Sequence, residues 1–531
     1  MPKIPPRGRP VLPIAAAAAL LIAGAGLPAE AASANSLVRG YFGPLETLDP
    51  QKAATAAETA IVLDLFEGLV TTDASGAPVP GAAQSWTLSA DGLSYRFTLR
   101  DTARWSNGEA VKAEDFVASF RRLFDPATGA TEDDPLLVIK GARRIKSGLA
   151  GPETLGVEAP DDRTLVIQLE TPTPTFIARL ALPAALPVNV AAARRLGTDF
   201  VKGDRLVGNG AYRLAAPRGP AGLMLTAEKK SRSDTVPPIT TVRWQPFETA
   251  ADCLAAFRAG TVDICPDAPV EALADLKTDL GSSLRIAPYA GSYFYVFDTR
   301  KPPFDDARVR RALSLAVDRD AIATKVWSGG MTAADSLVPP GLRNMAAGEK
   351  KPLDARQDEA RALLQQAGFG SQKPLAVSID AGGGLANEKT AALVAAAWRA
   401  IGVDAKVEAD DGQRHFTALS EGRSFDVTRS GWIADEADAL AMLTVLRSDS
   451  RFNYGRYANP LFDTLTAKAA VETNEALRHA DLAGAEAILA NDAPIVPLFA
   501  YASLNLVSPR VTGFLDNPLD RHPSRTLALS P

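Results

Sequence analysis

The stretch 375–408 limits the fold more than any other: 375–379 has the character of a strand, 387–400 of a helix and 404–408 of a second strand. Such a β-α-β unit commits its residues to a sheet covered by a helix. Similar alternation runs through the chain. Residues 37–41 read as a first strand, and 58–66 has helical spacing with Ile61, Leu65 and Phe66 facing one way. The sequence YRFTLR at 95–100 alternates strictly, the mark of a half-buried strand. Helical spacing returns over 113–124 (Phe116, Val117, Phe120) and stops before Asp125-Pro126. Strands are predicted at 164–169, 212–214 and 291–297, the last broken by Lys301-Pro-Pro-Phe304. Asp305 or Asp306 then caps a helix through Val309, Ala312, Leu313 and Ala316. Residues 460–489 read as helical, and 495–499 and 504–507 as strands. At 531 residues the chain is too long for one core, and its blocks of differing character predict an α/β protein with several lobes.

The first 34 residues stand apart. Lys3, Arg7 and Arg9 precede a short alanine-rich apolar run at 11–27, and Ala29-Glu30-Ala31 and Ala32-Ser33-Ala34 are small-residue cleavage patterns. This is the pattern of a secretory signal peptide. A membrane anchor fits less well, because the run is short and interrupted by Pro13. Removing three positive charges and one negative takes the net charge from −5 to −7. With no basic stripe in the body of the chain, nucleic-acid binding is not expected. Cys253 and Cys265 are the only cysteines. In an oxidising compartment a pair this close in sequence is a candidate disulfide between a helix start and the next strand, and two buried free thiols are the alternative.

No catalytic signature stands out. His415, His479 and His522 are far apart, HExxH and GxSxG are absent, and Gly382-Gly383-Gly384 fits no nucleotide fingerprint and reads as a turn. No cofactor or metal is indicated. The stretch FDVTRSGWIADEADAL at 425–440 runs from a short strand into a Gly-Trp turn and then a cluster of carboxylates. Trp432 with Asp435 is an aromatic wall beside an anion, suited to an ammonium group. The same residues also fit a core tryptophan before an acidic helix start.

Six segments in order carry a resemblance: LDPQKAATAAETAIVLDLFEGLV, YRFTLRDTARWSNGEAVKAEDFVASFRRLFDP, NGAYRL, KPPFDDARVRRALSLAVDRDAI, FDVTRSGWIADEADA and IVPLFAYASLNLVSPRVTGF. Together they resemble the peptide/nickel (family 5) extracellular solute-binding proteins of ABC importers. The resemblance implies an α/β, three-lobed periplasmic binding protein of type II, cluster C-like, with hinge closure over a buried ligand. After a signal peptide at 1–34, lobe I would comprise 35–66, 205–290 and 500–531. Lobe II would be an insertion at 67–204 and lobe III would span 291–499. The implied role is that of a monomeric, non-enzymatic periplasmic protein that delivers short peptides to an inner-membrane ABC permease.

By motif, Ala54-Thr55-Ala56 and Gly431-Trp432-Ile433 would hold the peptide main chain, Asp435 its α-ammonium group, and Arg429 a peptide carboxylate, unless Arg429 serves a salt bridge within its lobe. Glu436 and Asp438 read as structural. A glutamate, an arginine and a histidine of the family pattern are replaced at Ala54, near Ser420 and near Asn387, so a length preference does not carry over. The disulfide of the pattern falls at Gly291 and Ile433, where this chain has no cysteine. Because the family also includes binders of nickel, haem, opines and oligosaccharides, a non-peptide ligand is the second expectation. A secreted hydrolase is the alternative of another class.

Overall fold

The computed structural model describes residues 35–530 except 131–132, 220–221, 229–235, 347, 349–350, 409–411 and 413, so the expected signal peptide lies outside the described residues. The β-α-β unit forms. Ala376–Asp380 and Asp404–Glu408 pair in parallel, and Leu385–Ala400 buries Val394, Ala395 and Trp398. Gly382, Gly383 and Gly384 make the intervening turn with φ of 70, 70 and 86°, where side chains are strained.

Eleven strands among the described residues form one mixed sheet. At its centre Leu284–Phe297 and Ile495–Val507 run antiparallel, with register shifts between Pro288 and Ser292 and between Tyr293 and Phe294. Towards one edge lie Val427–Ile433, Ala376–Asp380 and Asp404–Glu408. Towards the other lie Ile264–Cys265, Ser36–Phe42, Thr241–Phe247, Gly222–Ala227 and Tyr212–Gly219. A separate four-stranded sheet contains Ala83–Leu88, Ser94–Leu99, Thr164–Gln168 and Val157–Asp161. Helix Ala113–Phe124 belongs to the same core, burying Phe116, Val117, Phe120, Leu123 and Phe124 at helical spacing.

Apolar side chains gather in separate cores. One is drawn wholly from 69–185 and includes Phe97, Phe116 and Phe176. Another joins 37–66 to 186–264 and 507–527 around Trp244, and a third lies within 293–499 around Trp398. Full burial of such a side chain is worth roughly 1.5–3 kcal/mol, so each core is a substantial source of stability. A disulfide joins Cys253 of helix Ala250–Arg258 to Cys265, with Cα atoms 6.0 Å apart.

Three expectations change. Residues 495–507 form one strand instead of two, because pairing with Leu284–Phe297 carries it through the small residues near Ala500. Residues 460–489 form two helices, Pro460–Val471 and Glu475–Asp492, the second capped by the Asn474 side chain, which accepts from Leu477 N–H at 3.2 Å. Gly431 and Trp432 belong to strand Val427–Ile433, not to a turn, because they pair with Tyr293 and Ser292. No helix of the described residues is long and apolar enough to cross a membrane.

Candidate functional site

Among the described residues, strand Val427–Ile433 leaves part of one edge unpaired. Ala376–Asp380 covers only Val427 and Thr428, while the other edge pairs along its length with Leu284–Phe297. Ala434 N–H donates to Ala290 C=O at 2.8 Å, which fixes the alternation of the antiparallel ladder. Counting back from there, Ile433, Gly431 and Arg429 turn their N–H and C=O groups to the open edge. The Arg429 carbonyl is already taken by His415 Nε2 at 2.9 Å. The outward groups of Gly431 and Ile433 make no hydrogen bond to described residues. They can therefore pair with an added extended chain.

Trp432 points elsewhere. Its indole N–H donates to Ala441 C=O at 2.8 Å and its ring packs 4.8 Å from Phe452, so its side chain serves the packing of its own sheet face. Arg429 stands six residues from Asp435, about 20 Å along an extended strand. Its guanidinium lies 5.4 Å from the Tyr293 ring and 5.1 Å from that of Phe416, and its Nε is buried without a partner.

Ala54, Thr55 and Ala56 begin helix Ala56–Leu65. Glu58 lies on its first turn and folds back to accept Ala54 N–H and Thr55 N–H, both at 3.1 Å, while Thr55 C=O accepts from Thr59 N–H. The capping box consumes most of the polar backbone here, leaving the Ala54 carbonyl and the Ala56 amide.

The two segments meet across a cavity of about 260 Å³, lined by Ala54, Thr55, Ala56, Ile433, Asp435 and Arg521. A second cavity of about 340 Å³ shares Asp435, Leu519 and Arg521 and continues past Thr72, Ser75 and Ala178. Arg429, Gly431 and Trp432 line neither.

Asp435 makes no hydrogen bond or ion pair to described residues. Its side chain is exposed and lines both cavities, with enough protein around it to desolvate the carboxyl. Burial pushes its carboxyl above the usual range, with the Arg521 guanidinium opposing and Asp134 adding to the effect. Burial lowers the Arg521 guanidinium, and Asp435 opposes that shift. The neighbouring Tyr289 hydroxyl is pushed up to about 12, chiefly by burial. An acceptor-only carboxylate in such a place can take an ammonium group. Among the described residues no group of three or more His, Cys, Asp or Glu side chains is placed to hold a metal.

Asp438 has a structural role. It accepts Leu440 N–H at the next helix start and pairs with Arg478 at 2.8 Å. Glu436 is likewise engaged within the protein, and its ion pair with Arg179 at 2.9 Å reaches across to the core drawn from 69–185. Neither that partner nor Arg521 has a signal in the sequence.

A family model for bacterial extracellular solute-binding proteins, family 5 middle, matches residues 77–454. The chain belongs to this family. Over 505 residues this family 5 protein is 34% identical to the periplasmic murein peptide-binding protein MppA of Escherichia coli (strain K12), covering 93% of each chain. Over 484 residues it is 35% identical to the probable deoxycholate-binding periplasmic protein YgiS of the same organism, covering 89% of this chain and 90% of YgiS. Its backbone matches the unliganded open form of the MppA murein tripeptide binding protein with a TM-score of 0.83, at 34% identity, over 93% of this chain and 97% of the other. For Haemophilus influenzae OppA in complex with RPPGFSPFR the TM-score is 0.77, at 33% identity, over 93% and 99%. The expected type II binding-protein fold is thereby borne out for this family 5 protein.

Proposed function

We propose that this family 5 protein is the periplasmic substrate-binding component of an ABC importer, capturing short peptides with a free N-terminus and delivering them to an inner-membrane permease. One observation carries the reading: among the described residues, the edge at Gly431 and Ile433 is unpaired and leads to the cavity lined by Asp435, which has no partner there. A peptide added antiparallel to that edge would put its ammonium group at Asp435 and run towards Arg429. Main-chain pairing reads no side chain, and the unpaired carboxylate lining the cavity selects a free amino end. Across the cavity, the Ala54 carbonyl and Ala56 amide are the groups left to meet the ligand.

In this reading the chain divides into lobe I (35–66, 205–290, 500–531), lobe II (67–204) and lobe III (291–499). The cores drawn from 69–185 and 293–499 support lobes II and III, while 186–201 pack with the lobe I core, and the register shift between Pro288 and Ser292 supports a hinge there. Isothermal titration with di- to pentapeptides is the test: binding of free peptides and not of their N-acetylated forms is expected, and no heat with any free peptide refutes the proposal. The likeness to YgiS supports a second reading, a non-peptide ligand. Native mass spectrometry of freshly purified protein distinguishes the two by the mass of a co-purified ligand.

A further inference from the structure

We propose that Arg521 is a specificity-determining residue, selecting peptides that carry a carboxylate side chain at the first or second position, next to the ammonium group held by Asp435. The inference rests on the peptide reading above and narrows its ligand class. Arg521 and Asp435 line both cavities.

The Arg521 backbone is held firmly. Its N–H donates to Asn517 Oδ1 at 3.2 Å, and its carbonyl accepts from Asn517 Nδ2 at 3.0 Å. The flanking residues are anchored as well, since Pro518 C=O accepts from Ala290 N–H at 2.7 Å and His522 C=O from Arg39 at 2.7 Å. The guanidinium, by contrast, makes no hydrogen bond or ion pair to described residues. Other buried arginines are spent inside the fold: Arg478 pairs with Asp438, and Arg310 donates to the carbonyls of Phe304 and Asp492. A planar five-donor group aimed into a cavity and left unused fits a carboxylate.

Charge balance points the same way. Asp435 and Arg521 offset each other at electrostatic range. Glu436 is committed to Arg179, and Asp520 accepts from Asn505 at 2.8 Å and faces His522 at 2.9 Å. An ammonium group arriving at Asp435 takes away the counter-charge of Arg521 and leaves an enclosed cation uncompensated, which is costly. A ligand that brings a carboxylate along with its ammonium restores neutrality. Thr72, Ser75, Ala77 and Ala178 are small and uncharged, which leaves room beside Arg521 for an acidic side chain.

The test is isothermal titration of Glu-Ala-Ala, Ala-Glu-Ala, their Gln counterparts and Ala-Ala-Ala against the intact protein, Arg521→Gln and Arg521→Lys. At least one Glu peptide should bind about tenfold or more tightly than its Gln counterpart to the unmodified protein. That ratio should fall to near one in Arg521→Gln and be reduced, not abolished, in Arg521→Lys. Equal binding of Glu and Gln peptides overturns the inference while leaving the peptide reading intact, as does a preference that survives in Arg521→Gln. Should Arg521→Gln not fold, the ratio in the unmodified protein and its reduction in Arg521→Lys decide. No binding of any peptide removes both readings.

Discussion

A carboxylate that accepts no hydrogen bond from the residues around it keeps its acceptor capacity for something else, and among the described residues Asp435 is such a group. Asp435→Asn should weaken binding of free peptides by about 2–5 kcal/mol, because the ligand ammonium is then enclosed without its counter-charge. Titration calorimetry gives that difference directly, and N-acetylated peptides should show none of it. The pH dependence has a definite sign. Burial holds the Asp435 pKa above its ordinary value in the free protein, and a bound ammonium must lower it, so the complex binds fewer protons than the free state. Affinity should therefore be flat well above the raised pKa and fall as pH drops through it, by about tenfold per pH unit until the lower bound-state value is reached. In Asp435→Asn the slope should vanish. Asp435 is legible in the sequence because it closes an ordered motif. Arg521 is not, since it sits in an aperiodic segment and gains its position only when that segment folds back onto Ala290.

Among the elements, the first turn of helix Ala56–Leu65 shows how one side chain can organise the segment proposed to meet the ligand. The Glu58 carboxylate accepts from the N–H groups of Glu46 at 2.8 Å, Thr47 at 3.0 Å, and Ala54 and Thr55 at 3.1 Å. Burial alone would raise its pKa, but the four amides outweigh burial and lower it. Its contribution to stability is thus present above the unfolded pKa and lost as pH falls through the lower folded value. Glu58→Gln should cost roughly 1.5–3 kcal/mol, read as a lower urea midpoint. Helical spacing locates this helix in the sequence. It does not reveal that the capping box uses up the Ala54 and Thr55 amides, because hydrogen-bond commitments depend on where the loop from Glu46 runs. The Gly-Trp pair fails for a related reason: glycine punctuates turns in isolation, but here a partner strand holds it extended.

Across the whole molecule, the proposed lobe boundaries at 290/291 and 499/500 fall inside two strands that continue through them. Periodicity cannot show such a joint, since the pattern on both sides is that of a strand. Only the pairing register breaks. Thr332–Ala333 joins this ladder at Ala500 and Val427–Ile433 joins it at Gly291, so the stretch where the register breaks lies at the margin of the wider sheet, where a ladder bends more easily than a packed core. Small-angle scattering should therefore give a smaller radius of gyration with a saturating peptide than without one, and an unchanged radius would refute hinge closure. The Arg179–Glu436 pair bridges the proposed lobes II and III beside Asp435, so closure and charge meet in one place.

The gap along Val427–Ile433 also bears on solubility. An unpaired strand edge invites any second chain to add to it, and exposed edges of this kind seed aggregation. Along this edge the outward backbone groups left unbonded by described residues are chiefly those of Gly431 and Ile433, since His415 already takes the Arg429 carbonyl. Ala376–Asp380 bounds it at one end, and the enclosed cavity at Asp435 bounds it at the other. A second chain adding there gains few backbone hydrogen bonds and little else unless it also brings a cationic end to Asp435, so the edge favours a short peptide over the strand of another sheet.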